Sequence, residues 1–530
     1  MENYIINLIL KQKIISEKKL DVIKRQASCK YKSPIPTNIK LLTSYHKLIS
    51  SNKLKPSIVL ENILKTRKIR TLSGIAAITV ITKPYPCPGE CLYCPQEKDM
   101  PKSYLANEPA CMRAVLTKFD PYKQTKARLD SLTMTGHKTD KIELIVLGGT
   151  WSYYDKKYQE WFIKRCFQAC NTKSKIQGPK SKQTLKQAQK INEKAKHRII
   201  GLTLETRPDY INEKEIKRMR WLGATRVELG VQSIYDNILK YNNRGHNVQK
   251  IINATKLLKN AGIKITYHIM LGLPGSNFRK DIKMFKELFS NSNFQPDQLK
   301  IYPCVVLKTA PLYKLWKNKK YKPYTDAELL KLLTAIKKII PSYVRIVRII
   351  RDIPSQSIIA GNKMSNLRQI LKQQNVKCNC IRCREIKNQK SKIKSQKLLR
   401  HDYNASDGNE IFLSFEDTKN NKLLAFLRLR ITNEWTLPIL KNYAIVRELH
   451  VYGQIASLNQ KLKTKNQKLI QHTGIGKQLM METEKIVKNE FKKTCSEQCR
   501  GIAVIAGIGV REYYRKLGYK LKDEYMIKKL

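Results

Sequence analysis

Three cysteines within eight residues carry the most pointed chemistry in this chain. Cys87, Cys91 and Cys94 lie in KPYPCPGECLYCP with a C-x3-C-x2-C spacing. Thiolates this close can hold three irons of a 4Fe-4S cluster and leave the fourth iron open to a small ligand, whereas a cluster that only transfers electrons needs a fourth cysteine. Pro88 and Gly89 supply the tight loop that wraps such a cluster. Zinc is the alternative, but zinc sites come as paired C-x2-C units or with histidines. No histidine lies within forty residues on either side.

A second thiol group, Cys378, Cys380 and Cys383 in VKCNCIRCRE, has C-x-C-x2-C spacing. Three soft ligands in six residues read as a zinc site one partner short, and the IKNQKSK that follows supplies no histidine. Cys166 with Cys170, or Cys495 with Cys499, could supply the missing ligand. Otherwise these thiols, with Cys29, Cys111 and Cys304, are expected as small buried apolar groups.

The elements that must position these groups alternate along the chain. IAAITVIT, residues 75–82, reads as a buried strand that delivers the first cysteine loop at its C-terminal end. Further strands are expected at 142–149, 198–205, 226–231, 264–272 and 298–303, with helices at 159–169, 213–222, 248–261 and 278–289. Repeated strand–helix units imply an α/β fold with a parallel sheet, an open or partial barrel, whose chemistry gathers at the C-terminal strand ends. Gly148 and Gly149, Glu205 and Arg207, and Gln232 with Ser233 all stand at such ends. The glycines let a ligand approach the backbone, while Glu205 and Arg207 either bind a zwitterion or close the barrel as a salt bridge. His268 lies mid-strand and reads as a satisfied core histidine. Residues 173–196 form a charged insertion, expected as an exposed helix without chemistry. VRIVRIIRDIP, with Arg345, Arg348 and Arg351, is expected as a strand and basic surface.

From about Leu398 the pattern changes to antiparallel strands and two helices, a mixed α+β sheet. There QHTGIG places Gly474, Ile475 and Gly476 where a strand gives way to a helix, so that backbone N–H groups can face a phosphate at the positive helix end. With 530 residues, two or three domains are expected. The boundaries read as a basic helical region over 1–71, a strand–helix domain over 72–370, a Cys-rich linker over 371–397 and a last domain over 398–530. Lys and Arg number 103 against 42 Asp and Glu, a formal charge of +61, which points to an acidic polymer such as nucleic acid. Thirteen cysteines in this length suit metals in a reducing compartment rather than a disulfide framework. No signal peptide or long apolar run stands out, so a soluble cytoplasmic protein without a membrane partner is expected.

The first cysteine spacing, with Tyr93 just before the third thiol, resembles the radical S-adenosylmethionine signature. Together with SYLANEPACMRAV, LIVLGGTW, TLETRPDY, RVELGVQS, NRGHNV, VRELHVYG and YYRKLGY, it makes the chain from about Lys68 to Leu530 resemble one family. That family is the catalytic subunit of Elongator, which carboxymethylates the wobble uridine of tRNA, and the short first cysteine interval is closer to archaeal and bacterial members. The resemblance implies a radical S-adenosylmethionine barrel followed by a GNAT acetyltransferase domain. It implies that Tyr93, Gly148, Gly149, Glu205, Arg207 and Gln232 surround S-adenosylmethionine. Glu448, Leu449, His450 and Val451 with Gly474, Ile475, Gly476 and Tyr513 would bind acetyl-coenzyme A, while Lys141, Tyr513 and Tyr514 would serve catalysis. It also implies that a 5'-deoxyadenosyl radical takes hydrogen from the acetyl methyl, that the acetyl radical adds to C5 of uridine 34 in the anticodon loop, and that thioester hydrolysis leaves a carboxymethyl group. The basic N-terminal region would contribute to tRNA binding. An electron-donor protein, a homodimer and Elongator-like subunits are the further partners it suggests. A protein lysine acetyltransferase using the last domain alone is the competing reading.

Overall fold

Continuous aliphatic runs, buried on both faces, assemble the first sheet. The computed structural model describes every residue except 13–15, 67, 172–181, 388–394, 454–473 and 492–499. Six strands, β1 (Ala76–Ile81), β2 (Lys141–Leu147), β3 (Arg198–Thr206), β4 (Arg226–Gln232), β5 (Lys264–Leu271) and β6 (Gln298–Pro303), stand side by side in chain order. A short β7 (Val306–Leu307) follows, then β8 (Arg345–Arg348), which pairs with β6 and completes the sheet. Every neighbouring pair is parallel. Since β1 and β8 do not pair, the sheet is a curled partial barrel. Three crossover helices, Glu213–Leu222, Val248–Asn260 and Phe278–Ser290, begin by one device. Asn212, Asn247 and Asn277 each accept a bond from the backbone N–H three residues on, satisfying an otherwise orphaned helical donor. β9 (Ile358–Ala360) pairs only with β7.

The second sheet comprises β10 (Gln396–Asn404), β11 (Gly408–Asp417), β12 (Lys422–Thr432), β13 (Tyr443–Val451), β14 (Gly501–Val504), β15 (Lys520–Lys522) and β16 (Tyr525–Lys529). Its order is β10-β11-β12-β13-β14-β16-β15, antiparallel except for the parallel pair β13–β14. That pair runs only from Tyr443↔Gly501 to Val446↔Val504, and β13 then continues to Val451 beside β12, so β13 and β14 part. A bulge at Arg447, where the register with β12 slips, marks the point of divergence.

This second sheet seats itself on the N-terminal mouth of the barrel. Arg447 bonds both oxygens of Asp297, at 2.9 and 2.6 Å, just ahead of β6. Lys264 at the start of β5 meets Glu448 at 3.2 Å, and His450 Nε2 lies 3.0 Å from the Ser73 carbonyl below β1. Gly507 and Gly509 lie flat on the start of β3, since an added Cβ would come within 2.0 Å of the Ile200 carbonyl and 2.6 Å of Arg198. The N-terminal helices Glu2–Leu10, Glu17–Lys30, Asn38–Ser50 and Ile58–Leu64 pack around their own core of Ile5, Ile9, Leu20, Leu41, Leu42 and Leu64.

Several expectations change. The described part of the 173–196 insertion is a helix, Leu185–Asn192, that buries Leu185, Ala188 and Asn192 rather than standing free, because its apolar residues recur at helical spacing. VRIVRIIRDIP is not a basic surface. Arg345 and Arg351 turn inward, where Glu385 and Glu108 neutralise them at 2.7 and 2.8 Å, and only Arg348 keeps an exposed pair, with Asp352. Cys29 is exposed, while Cys111, Cys166, Cys170 and Cys304 are buried as expected. Cys495 and Cys499, and Gln471 to Thr473 of the glycine loop, lie outside the described residues.

Candidate functional site: a cavity between the two mouths of the barrel

The loop after β1 sets Cys87, Cys91 and Cys94 over the C-terminal mouth of the barrel, with Cys91 and Cys94 buried. Arg244, in the loop ahead of the helix Val248–Asn260, donates to Cys91 Sγ at 3.3 Å and also bonds the Gly230 carbonyl. Burial raises the Cys91 thiol, but the guanidiniums of Arg244 and Arg207 outweigh it and hold the group below its ordinary value. Cys94, deeper and beside its two sister thiols, is pushed up to about 12 by burial and their charge. Thiols fixed together next to trapped cations, with repulsion among them unrelieved, form the donor set that a cationic iron cluster neutralises.

Around this loop the strand ends converge. Gly148 and Gly149 have φ of +137° and +98°, and a side chain on Gly148 would collide with Thr82 Oγ1. Glu205 accepts from the Tyr104 hydroxyl at 2.6 Å. Arg207 is bound in two places by Asp209, both at 2.9 Å, and its remaining Nη1 is buried without a hydrogen-bond partner against Gly89 of the cysteine loop. Gln232 sits at φ +69°, with a buried unpartnered Oε1, and the buried Tyr93 hydroxyl faces the Cys91 sulfur. Buried polar atoms left unpaired in this way cost free energy until a ligand satisfies them.

Below the rim, a cavity of about 800 Å³ runs down the barrel and reaches the second sheet. Its wall includes Tyr93, Glu205 and Gln232 at one end, and Glu448, Leu449, His450 and Tyr514 at the other. Between them the charges are paired: Arg226 with Glu143 at 2.6 Å, and Glu228 with both Lys300 and His268, the latter at 3.0 Å. His268 is therefore buried and partnered, and it also faces the cavity, with Glu205 3.7 Å away. Lys141 opens β2 on the face of Glu143, Ile145 and Leu147, which line the cavity, and burial lowers its ammonium to about 8.

At the lower end the helix Ile475–Ile486 starts from Gly474, at φ +90°, with no capping side chain and, among the described residues, nothing within 4 Å of where a Cβ would sit. The Tyr513 hydroxyl, Val451 and Leu449 all approach within 4 Å of the same point on Gly476, so strand, helix end and tyrosine converge there. Glu448 is buried between Lys264 and Arg428; burial opposes its charge, but the two cations prevail and hold the carboxyl down at about 2. His450 is lowered by burial and packs on Tyr452, ring centroids 4.3 Å apart. The thiols of Cys378, Cys380 and Cys383 lie within 4.8 Å of one another. Among the described residues no fourth His, Cys or carboxylate joins them. Ile386 bonds the Leu423 carbonyl just beyond, so this knuckle ties the barrel to β12.

Sequence reasoning missed Arg244, Asp297 and the charged ladder inside the cavity. Arg244 had a signal, since NRGHNV ends with the Asn cap of a helix and so must hold its arginine near a strand end.

Comparison with known proteins agrees with this architecture. Residues 84–288 match the family model of the Radical SAM superfamily, and 296–376 that of the Radical SAM C-terminal domain. The chain is 45% identical over 549 residues to the tRNA uridine(34) acetyltransferase of Methanocaldococcus infernus, covering 99% of this chain and 98% of that one. It is 38% identical over 488 residues to Elongator complex protein 3 of Homo sapiens, covering 88% and 86%. Among solved structures, the archaeal Methanocaldococcus infernus Elp3 with an N-terminal deletion superposes with a TM-score of 0.73 at 45% identity, covering 87% of this chain and all of that one. Likeness of this extent, spanning both sheets and the cavity between them, places the chain in the tRNA uridine(34) acetyltransferase and Elongator complex protein 3 family, within the radical S-adenosylmethionine superfamily.

Proposed function

We propose that this protein is an enzyme that modifies C5 of uridine 34 of tRNA, using S-adenosylmethionine at the upper mouth of the barrel and acetyl-coenzyme A at the lower one. The observation that carries this reading is the single cavity lined by residues of both domains. Cys87, Cys91 and Cys94 would hold a 4Fe-4S cluster, and the Gly148–Gly149 backbone with Glu205, Gln232 and Tyr93 would take S-adenosylmethionine. Together these groups supply one-electron chemistry strong enough to activate an unreactive C–H bond.

The chain's own residues do the placing. Arg244 steadies the Cys91 sulfur, and Arg207, locked by Asp209, braces the loop at Gly89. Backbone N–H groups at Gly474, Ile475 and Gly476 would bind the pyrophosphate of acetyl-coenzyme A at the positive helix end. The gap where β13 leaves β14 would accept the arm that carries the thioester, past Leu449 and towards Tyr514. Tyr513 and Tyr514 would hold the acyl end, and Lys141 would serve at the junction of the halves. Glu448, ionised between two cations, orients β13 rather than exchanging a proton. Zinc on Cys378, Cys380 and Cys383 would be structural, since it would sit at the domain joint. The basic region 1–71 would contact tRNA, whose unstacked loop exposes C5 without base flipping.

Nucleoside mass spectrometry tests the proposal. Anaerobically reconstituted protein with S-adenosylmethionine, a reductant, acetyl-coenzyme A and tRNA should yield carboxymethyluridine. A product of acetyl-lysine alone, from an added protein substrate, would replace this reading with that of a lysine acetyltransferase.

A further inference from the structure

The three loops that cradle the cysteines each carry one tyrosine to the same spot outside the barrel mouth. Tyr85 precedes Cys87 by two residues. Tyr153 follows Thr150, whose Oγ1 lies 3.8 Å from Cys87 Sγ. Tyr210 closes the turn after Arg207, the residue pressed against Gly89. Tyr153 is the middle of the three, with ring centroids 6.0 Å from both Tyr85 and Tyr210 at interplanar angles of 66° and 86°. Neither neighbour lies parallel on it, and it is 41% exposed. The row continues as Tyr85 stacks on Tyr154 at 4.7 Å, Tyr154 stacks on Tyr158 at 5.3 Å, and Tyr158 meets Trp161, itself 40% exposed. The Lys83 ammonium stands 4.9 Å over the Tyr158 ring, and Lys157 is exposed nearby.

Structural need explains Tyr154, whose hydroxyl bonds the Thr82 hydroxyl and the carbonyls of Lys83 and Gly148. It does not explain an exposed ring held between edge-on neighbours. Such a ring, at the end of an aromatic row whose other end carries Lys83, is the arrangement by which proteins hold unpaired bases, with the aromatic face taking the base and cations along the row taking the phosphate. We infer that Tyr153, seated between Tyr85 and Tyr210, is a stacking platform for an unpaired nucleobase of an RNA loop, and that it delivers the neighbouring nucleotide to the barrel mouth. The inference rests on the reading of tRNA as substrate.

The test uses the full-length reconstituted protein and an anticodon stem-loop RNA carrying 2-aminopurine beside uridine 34. Wild type should bind it and quench the 2-aminopurine fluorescence. Tyr153→Ala should weaken binding about 5- to 150-fold, the range for losing one stacked base, and abolish the quenching. Tyr153→Phe should restore both, because the ring and not the hydroxyl stacks. The iron–sulfur absorbance of each variant reports that the fold survives. Equal binding and quenching by wild type and Tyr153→Ala would overturn the inference while leaving the proposed function standing. Slower reduction of Tyr153→Ala by a protein electron donor, with RNA binding unchanged, would make the ledge that donor's docking face and overturn it equally. Failure of wild type to bind the RNA at all would sink the substrate reading, and the inference with it.

Discussion

The two mouths of the barrel are built from opposite materials. At the lower mouth long charged side chains meet carboxylates at the domain joint: Arg447 reaches Asp297 across it and Glu410 within its own sheet, Lys264 crosses to Glu448 at 3.2 Å, and Arg430 and Arg428 join Glu410 and Glu448 alongside. At the upper mouth thiols, glycines at positive φ and polar groups prevail; Arg244 faces sulfur there, and Arg207 keeps a nitrogen unpaired. A joint must be satisfied within the protein, because leaving a buried charge unpaired costs more than any contact there returns. A site for ligands must be left unsatisfied, so that the ligand completes it. Charge density alone therefore does not tell function from support in this molecule; what the charges face does, carboxylates at the joint and thiols at the upper mouth.

Four experiments can break or sharpen that contrast. The largest effect should come from the upper mouth: Cys91→Ala should lose the cluster's iron and all 5'-deoxyadenosine formation, read by iron analysis and chromatography, with little change in melting temperature. Full iron and cofactor cleavage in the variant would mean that the thiols are not ligands.

Next comes the helix end at the lower mouth. Among the described residues nothing crowds the Gly474 Cβ position, and Asn and Asp are both tolerated at positive φ, so Gly474→Asn and Gly474→Asp should fold alike. Only Asp brings a like charge towards the pyrophosphate, and two such charges about 4 Å apart repel by about 4 kcal/mol at an effective dielectric of about 20. Calorimetry should find acetyl-coenzyme A binding weakened about a hundredfold or more by Asp and far less by Asn, with the cluster unaffected in both.

The joint itself should answer to stability rather than chemistry. Asp297→Ala strands Arg447 and Arg428 in the interior and should cost about 3–5 kcal/mol in denaturant unfolding. Asp407→Ala, which removes an exposed partner of Lys256 elsewhere on the same interface, should cost about 1 kcal/mol or less. Equal costs would mean that the buried network is not what holds the halves together.

The smallest effect is a pH dependence. Glu448 is held down at about 2 in the folded protein, against about 4.3 in an unfolded chain. A depressed carboxyl contributes stability that is fully present above the unfolded value and is lost as pH falls towards the folded one, here between about 4.3 and 2. Melting temperatures across that window should fall less steeply for Glu448→Gln than for wild type. Parallel curves would show that its ion pairs contribute nothing net.

Much of the frame was legible in the sequence because parallel strands covered on both faces read as unbroken aliphatic runs, as IAAITVIT does, and because helical stretches alternate with them. The two cysteine groups and the Gly474 loop were legible too, since their spacing is local. The cavity was not. Glu228 and Lys300 look like surface residues in the linear text, and only three adjacent strands brought into register show that they pair inside, with the core histidine His268 against the same carboxylate. Arg345 and Arg351 were misread for the same reason, because Glu385 and Glu108 lie 40 and 243 residues away in the chain. The seating of the second domain on the lower mouth was equally hidden, because Gly507 and Gly509 look like ordinary turn glycines until the β3 backbone lies against them.

A passage with a separate door at each end imposes no queue. If coenzyme A comes and goes beside Gly474 while RNA docks above the cysteine loop, neither blocks the other's way, and a spent thiol carrier can leave before the nucleic acid does. Initial-rate patterns with the two substrates varied together should then intersect, with coenzyme A competing against acetyl-coenzyme A but not against tRNA. Traffic through this enzyme would be set by the slower of two independent exchanges rather than by a compulsory order of arrival.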